Sequence, residues 1–97
     1  MRNRKRAGRP CLKRNIDFKP KANLFKPNGV PASQLQRVRL KTEELEALRL
    51  KNLEELDQRE CAKKMNTSAA TFQRILSSAY YKISLALIEG KALEIEK

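Results

Sequence analysis

Hydroxyl, amide and guanidinium side chains cluster at the start of a segment with helical periodicity. The cluster comprises Thr67, Ser68, Ala69, Ala70, Thr71, Gln73, Arg74 and Ser77. An Arg side chain can donate two hydrogen bonds to guanine, and a Gln side chain can pair with adenine. Ser and Thr hydroxyls, with the free N–H groups of a first helical turn, suit phosphate oxygens. These residue types predict contact with the major groove of double-stranded DNA, although plain solvated helix surface stays an open interpretation for Gln73 and Ser77.

A second basic set lies within residues 1–14, which we call the basic arm. It consists of Arg2, Arg4, Lys5, Arg6, Arg9, Lys13 and Arg14. Within it, Gly8-Arg9-Pro10 has the composition of hooks that keep the backbone extended while Arg enters a narrow A·T minor groove. The alternative is a tail that neutralises phosphates without sequence preference.

The net charge is concentrated in the N-terminal part of the chain. The 97 residues contain 22 Lys and Arg against 11 Asp and Glu, which gives +11 with no His. Residues 1–40 hold twelve basic residues and one acidic residue, Asp17, whereas residues 41–97 are neutral. Such an asymmetry is typical of a basic arm joined to a globular part, and it makes an acidic partner the first hypothesis.

The composition excludes several kinds of chemistry. Without His there is no imidazole base, no Ser-His-Asp triad and no ordinary zinc finger. No pair of side chains has a spacing that suggests catalysis, so we expect no enzymatic activity, no cofactor and no metal. Cys11 and Cys61 are expected to be reduced, structural thiols of a cytoplasmic protein. No apolar run approaches the roughly 20 residues of a membrane span, so we expect no membrane partner.

Helical periodicity follows the basic region and predicts three helices. In the first, Thr42 is the expected N-cap, because a Thr hydroxyl can accept a hydrogen bond from the first turn. Its apolar side is formed by Leu45, Leu48 and Leu53, and Leu50 falls outside this stripe.

The second and third helices have clear start and stop signals. Asp57 is expected to cap a short second helix, and Asn66 to end it in a left-handed conformation. Ser68 is expected to cap a long third helix that Gly90 closes. The inward residues of the second helix are Cys61, Ala62 and Met65, and those of the third are Phe72, Ile75, Leu76, Ala79, Ile83, Ala86 and Leu87. Two helices joined in this way indicate a helix-turn-helix, with an ordinary helical hairpin as the alternative.

The predicted fold class is therefore mostly α, a helix-turn-helix with a long third helix. Residues 1–14 are expected to be a disordered arm, and residues 15–41 an extended segment packed on the core through Phe18 and Phe25. All four prolines lie in these segments and prevent a continuous helix. Residues 42–97 form the helix-turn-helix domain, and its tail from residue 92 to residue 96 alternates like a short strand.

A second apolar stripe runs along the C-terminal half of the third helix, through Tyr81, Leu85 and Ile88. A helix that is apolar on both sides is covered on both sides. We favour a homodimer as the cover, since helix-turn-helix proteins commonly bind two half-sites. The alternatives are that the arm and the tail of residues 93–95 pack over the stripe, or that it contacts RNA polymerase.

Several blocks of the sequence resemble one known family. The blocks are Gly8-Arg9-Pro10, Phe25-Lys26-Pro27-Asn28-Gly29-Val30-Pro31, Glu44-Leu45-Glu46-Ala47-Leu48-Arg49-Leu50, Thr71-Phe72-Gln73-Arg74-Ile75-Leu76 and Glu89-Gly90-Lys91-Ala92-Leu93. They resemble the UPF/DUF family numbered 134, small prokaryotic proteins of unknown function predicted to bind DNA. Residues 44–87 are also similar to the DNA-binding fourth region of bacterial sigma factors, which implies that residues 67–77 contact a promoter-like site.

This chain departs from the family pattern at positions that bear on DNA contact. Ala69 stands where the family usually has Arg, and Tyr80-Tyr81 replaces a segment that often includes Arg. More of the attraction to DNA must therefore come from the basic arm. Together, the residues and the resemblance predict a sequence-specific, double-stranded DNA-binding protein that regulates transcription. An RNA-binding or ribosome-associated protein, or a module that docks on RNA polymerase, are the alternatives.

Overall fold

Three helices and a small three-stranded sheet make up the part of the chain that the computed structural model describes, residues 15–96. In chain order the elements are β1 (Leu24–Phe25), β2 (Arg37–Leu40), α1 (Thr42–Leu48), α2 (Gln58–Lys64), α3 (Ala69–Glu89) and β3 (Ala92–Ile95). A 3-10 turn (Ala32–Gln34) precedes β2, and a π-helical segment (Arg49–Leu53) continues α1. About half of these residues are helical, which agrees with a mostly α fold.

The sheet has the strand order β1-β3-β2, with β3 antiparallel to β1 and parallel to β2. Strand β2 alternates exposed Arg37 and Arg39 with buried Val38 and Leu40. Both arginines pair with Glu94 of β3, at 3.1 and 3.3 Å. The sequence predicted a strand only in the tail, because the arginines and nearby prolines made residues 15–41 resemble the arm.

The helices bury a core of their own. It contains Ala47, Leu50, Cys61, Ala62, Met65, Phe72, Ile75 and Leu76. The Phe72 ring is fully buried among these mainly aliphatic side chains, so α3 is held against both α1 and α2. A second group, on the sheet and the C-terminal half of α3, contains Val38, Leu40, Ala79, Ala86, Ala92 and Ile95. The sheet therefore packs on the half of α3 that α1 and α2 leave free.

The predicted caps of α2 and α3 are confirmed. Asp57 accepts a hydrogen bond from the Glu60 N–H at 2.8 Å, and Ser68 accepts one from the Thr71 N–H at 3.1 Å. Asn66 and Gly90 have positive φ angles of 59° and 68°, which fit the left-handed ends expected after α2 and α3. Because these signals are local, the bounds of both helices follow closely from the sequence.

The predictions for α1 need two corrections. The N-cap is Lys41 rather than Thr42, and Glu44 reaches back to accept the Lys41 N–H at 2.8 Å. The apolar stripe is also wrong, because Leu50 is buried whereas Leu53 is 78% exposed. The buried face of α1 and its π-helical continuation carries Ala47 and Leu50. Because Ala47 is small, this face does not stand out as an apolar stripe in the sequence. From Arg49 onward, i→i+5 hydrogen bonding changes the helical period that the stripe assumed.

Two further apolar residues lie at the surface instead of the core. Leu87, expected on the inward side of α3, is 76% exposed because the sheet covers only the side of α3 that carries Ala86. Phe25, expected to anchor the extended segment, is also largely exposed, since β1 is a two-residue strand at the sheet edge. Phe18, the other expected anchor, is half-buried. No helix within residues 15–96 is long and apolar enough to cross a membrane.

Candidate nucleic-acid interface

A short connection joins α2 to α3 at the centre of the predicted site. Asn66 turns the chain, and the Thr67 N–H donates to the Ala62 carbonyl at 3.0 Å. The Gln58 amide donates to the Ala69 carbonyl at 3.1 Å, which ties the start of α2 to the start of α3. These bonds fix the direction in which α3 leaves α2.

The start of α3 carries the predicted phosphate-binding hydroxyls. Besides accepting the Thr71 N–H, the Ser68 hydroxyl donates to Thr71 Oγ1 at 3.0 Å. The first bond along the helix runs from the Phe72 N–H to the Ser68 carbonyl, so the N–H groups of Ala69 and Ala70 precede the helical ladder. An anion at this end would meet both N–H groups and the positive end of the helix dipole.

The structure brings the predicted base-contacting residues onto one face of α3. Ala70, Gln73, Arg74 and Ser77 are exposed, while Phe72 between them points into the core. The Gln73 amide donates to the Ser77 hydroxyl at 3.2 Å, which holds the two side chains together. Of the remaining predicted residues, Thr67, Ala69 and Thr71 are half-buried and Ser68 is exposed.

Charges near this face are of both signs. On α2, Arg59, Lys63 and Lys64 are exposed, as is Glu60. On the α1 side, Arg74 borders a shallow 270 Å³ depression shared with Lys41, Glu43 and Glu44. The globular part around the site is thus much less basic than the arm.

Glu44 lies buried at the floor of this depression and is held by several donors. Its carboxylate accepts hydrogen bonds from the Ser78 hydroxyl, the Lys41 N–H and, at 2.8 Å, the Lys82 ammonium. Burial alone raises the pKa of Glu44, but these bonds and the Lys82 charge outweigh it, so the pKa lies below its ordinary value. A charged carboxylate therefore fixes the packing of α1 on α3 behind Arg74.

The basic arm itself lies outside the described residues, but its point of attachment does not. The predictions for Arg2, Arg4, Lys5, Arg6, Arg9, Lys13 and Arg14, for Cys11 and for disorder over 1–14 all fall on that segment. The Asn15 N–H donates to the carbonyl of Met65 at 3.3 Å. Because Met65 immediately precedes Asn66, Asn15, the first described residue after the arm, lies beside the α2–α3 connection.

A cluster that the sequence analysis missed holds the next residues of the chain on α1. Glu46 is 1% exposed, and Arg49 binds it through Nε–Oε1 and Nη2–Oε2 contacts of 2.7 and 3.1 Å. The Asp17 N–H donates to the same Oε2, and the Arg49 guanidinium lies 5.3 Å from the centre of the Phe18 ring. The hydrogen bonds to Glu46 raise the pKa of Arg49 above its ordinary value. The i,i+3 spacing of Glu46 and Arg49 was the available signal.

The second apolar stripe is only partly covered. Tyr81 and Ile88 are 66% and 82% exposed, whereas Leu85 is half-buried. Within residues 15–96, therefore, the tail does not cover the stripe as a whole. Leu87, about 100° from Ile88 around the helix, is exposed on a different side of α3.

Chemistry of other kinds has little support in residues 15–96. Cys61 is fully buried, burial raises the pKa of its thiol, and the Sγ–H donates weakly to the Leu56 carbonyl. Such a thiol is a core residue and not a nucleophile. This part of the chain also contains no group of His, Cys, Asp or Glu arranged to hold a metal ion.

Fold and surface together define a small helical protein with an accessory sheet and an exposed polar face at the start of its longest helix. The chain belongs to the family described as "Protein of unknown function DUF134", which matches residues 3–97 and confirms the resemblance seen in the sequence. It is 52% identical over 88 residues to a UPF0251 protein of Halothermothrix orenii, covering 91% of this chain and 65% of that protein. A UPF0251 protein of Clostridium tetani is 51% identical over 87 residues, covering 90% and 59%. The chain thus spans less than two thirds of the length of these relatives, and no solved structure gives a significant match.

Proposed function

We propose that the chain is a sequence-specific, double-stranded DNA-binding protein in which α2, residues 65–68 and α3 act as a helix-turn-helix. The observation that carries the proposal is the exposed polar face at the capped start of α3, opposite the buried Phe72. In the major groove, Arg74 donates to guanine and Gln73 pairs with adenine, while the first-turn N–H groups bind phosphate. The similarity of residues 44–87 to the fourth region of sigma factors supports a role in regulating transcription in the cytoplasm.

Attraction and specificity are divided between two parts of the chain. The basic arm has seven basic residues and no acidic residue, so it supplies most of the attraction to phosphates. The face of α3 has one formal charge, at Arg74, and supplies the preference for particular bases. Insertion of Arg9 into an A·T minor groove is a further contribution that this division allows.

The contribution of Arg74 is tested with a duplex selected from a random library. We expect Arg74→Ala to weaken binding to that duplex by ~1–3 kcal/mol and to relax the preference at one base pair. Arg39→Ala is the matched control, because it removes the same charge from an exposed position on the sheet. A fluorescence titration in which both variants bind like the wild type would contradict the assignment of Arg74.

The role of the basic arm is tested by the salt dependence of the same titrations. If arm residues neutralise about 6–7 phosphates, log affinity falls with log salt with a slope of roughly −5 to −6. A neutral-arm variant, in which glutamine replaces all seven basic residues of 1–14, should flatten the slope and keep the base preference. Loss of preference with an unchanged slope would refute this division.

A docking module for RNA polymerase is the second candidate, because the stripe of Tyr81, Leu85 and Ile88 leaves Tyr81 and Ile88 exposed on one face of α3. Recovery of polymerase by the purified chain, together with no affinity for any selected duplex, would favour it. An RNA-binding or ribosome-associated protein is the remaining alternative. Competition between duplex DNA and structured RNA in the same titration decides that point, since phosphate attraction alone does not distinguish them.

A further inference from the structure

The residues that follow the basic arm are attached to α2 and α1 at successive points. The Asn15 N–H donates to the carbonyl of Met65, the first residue after α2. Two residues later, the Asp17 N–H donates to Glu46 Oε2 at 3.1 Å. The Phe18 ring then lies against the Arg49 guanidinium. Over residues 15–18 the chain is therefore held by two backbone hydrogen bonds and by the Phe18 side chain.

Burial of apolar surface contributes to this attachment only at Phe18. Asn15, Ile16 and Asp17 are all exposed, and Phe18 is half-buried. The attachment relies instead on Glu46, a carboxylate placed out of water inside α1. A buried carboxylate is costly unless it is paired, and Arg49 pairs with it through both oxygens. One of those oxygens, Oε2, also accepts a hydrogen bond from the Asp17 N–H. The Glu46–Arg49 ion pair therefore holds the segment that follows the basic arm against α1.

We infer that Phe18, Glu46 and Arg49, which we call the root cluster, are positioning residues that fix the start of the basic arm beside the start of α3. The arm and α3 then contact adjoining parts of one DNA duplex in a fixed relation. This inference rests on the proposed function. It assigns a role in DNA binding to side chains that do not themselves touch DNA.

The number of residues before the first attachment gives the sign and size of the expected change in DNA affinity. Attached at Asn15, an arm of 14 residues reaches at most about 50 Å, whatever its conformation. If loss of the root cluster releases residues 15–18 as a unit, the next attachment is β1, so 23 residues precede it and the reach grows to about 80 Å from the sheet. Effective concentration falls with roughly the −3/2 power of length, which predicts a loss of at least about twofold. The number of basic residues is unchanged, so the salt slope stays the same.

The experiment is a double-mutant cycle on the full chain with the selected duplex. Phe18→Ala is introduced into the wild type and into the neutral-arm variant, and affinity is measured across a salt series. We expect Phe18→Ala to weaken binding at least twofold in the wild type, with an unchanged salt slope, and to have no effect in the neutral-arm variant. Phe25→Ala, which alters the same Phe-Lys-Pro sequence away from the root cluster, should leave affinity unchanged in both.

Circular dichroism and thermal unfolding establish that each variant is folded. If Phe18→Ala is not, Arg49→Lys replaces it, because Lys keeps the charge but cannot bind both oxygens of Glu46. An equal loss in both arm backgrounds, or no loss in either, would overturn the inference and leave the proposed function standing. If the wild type selects no duplex, the proposed function itself fails.

Discussion

Glu44 shows how a charged side chain can belong to the interior of a small domain. It sits at the N-terminus of α1, where the helix dipole favours a carboxylate, and its oxygens accept hydrogen bonds from the Lys41 N–H and from two side chains of α3. Removing the charge would leave the Lys82 ammonium, three-quarters buried, without its partner. The same residue therefore caps α1 and ties it to α3.

We expect Glu44→Gln to lower the free energy of unfolding by about 1–3 kcal/mol near neutral pH. Because the pKa of Glu44 is lowered in the folded state, its contribution is complete above the pKa of the unfolded chain. The contribution is lost as the pH falls through the folded-state pKa. Urea unfolding of both proteins over a pH series should show the difference shrinking towards acid.

The exposed Glu55→Gln is the control for this series and should stay within about 0.5 kcal/mol of the wild type at every pH. A Glu44→Gln deficit that persists unchanged at acid pH would mean that the carboxylate acts through its shape and not its charge.

Individual buried charges were the part of the site hardest to predict. Acidic side chains are almost never fully buried without a partner, so nothing in the sequence marks Glu44 and Glu46 as interior residues. Their partners Lys82 and Asp17 lie 38 and 29 positions away in the chain. Sequence spacing reveals the nearby Arg49 but not these distant donors.

At the scale of elements, α2, α3 and their connection could be predicted because each boundary has its own local signal. Asp57 and Ser68 cap the two helices, and Asn66 and Gly90 end them. The sheet could not be predicted in the same way, since β2 pairs with a strand more than fifty positions later. No residue within β2 records that distant pairing.

The connection between α2 and α3 depends on the conformation of Asn66. Its φ of 59° costs most side chains about 1–2 kcal/mol, whereas glycine adopts it freely. We therefore expect Asn66→Ala to lower the free energy of unfolding by that amount and Asn66→Gly to stay within about 0.5 kcal/mol of the wild type. Urea unfolding measures both, and equal losses for the two variants would show that the Asn66 side chain, rather than its backbone, matters.

For the whole molecule, the structure changes how the net charge of +11 should be assigned. Arg37 and Arg39, counted with the N-terminal basic region in the sequence, belong to β2 and are paired with Glu94. With the globular part beginning at residue 15, residues 15–97 carry 15 basic and 11 acidic residues, a net charge of +4, and residues 1–14 carry +7. The globular part is therefore moderately basic, although the arm has much the higher charge per residue.

Self-association is the prediction that concerns the whole surface. Tyr81 and Ile88 remain exposed on one face of α3, and a homodimer would cover them and present two copies of α3 to DNA. We expect light scattering at increasing concentration to approach twice the monomer mass, and Ile88→Lys to return the chain to a monomer. Leu53→Lys is the control, since Leu53 is equally exposed on the π-helical segment. A monomeric mass at every concentration would exclude the dimer.

The central position of β3 has a consequence for synthesis of the chain on the ribosome. Among the described residues 15–96, β1 and β2 pair with β3 alone, and Arg39 is made 55 positions before Glu94. At about 5–20 residues per second, β2 waits roughly 3–10 s for its partner strand. During that interval its open edge could associate with other nascent chains, and the charges of Arg37 and Arg39 oppose such association. The two arginines thus protect the unfinished protein before they bind Glu94 in the finished one.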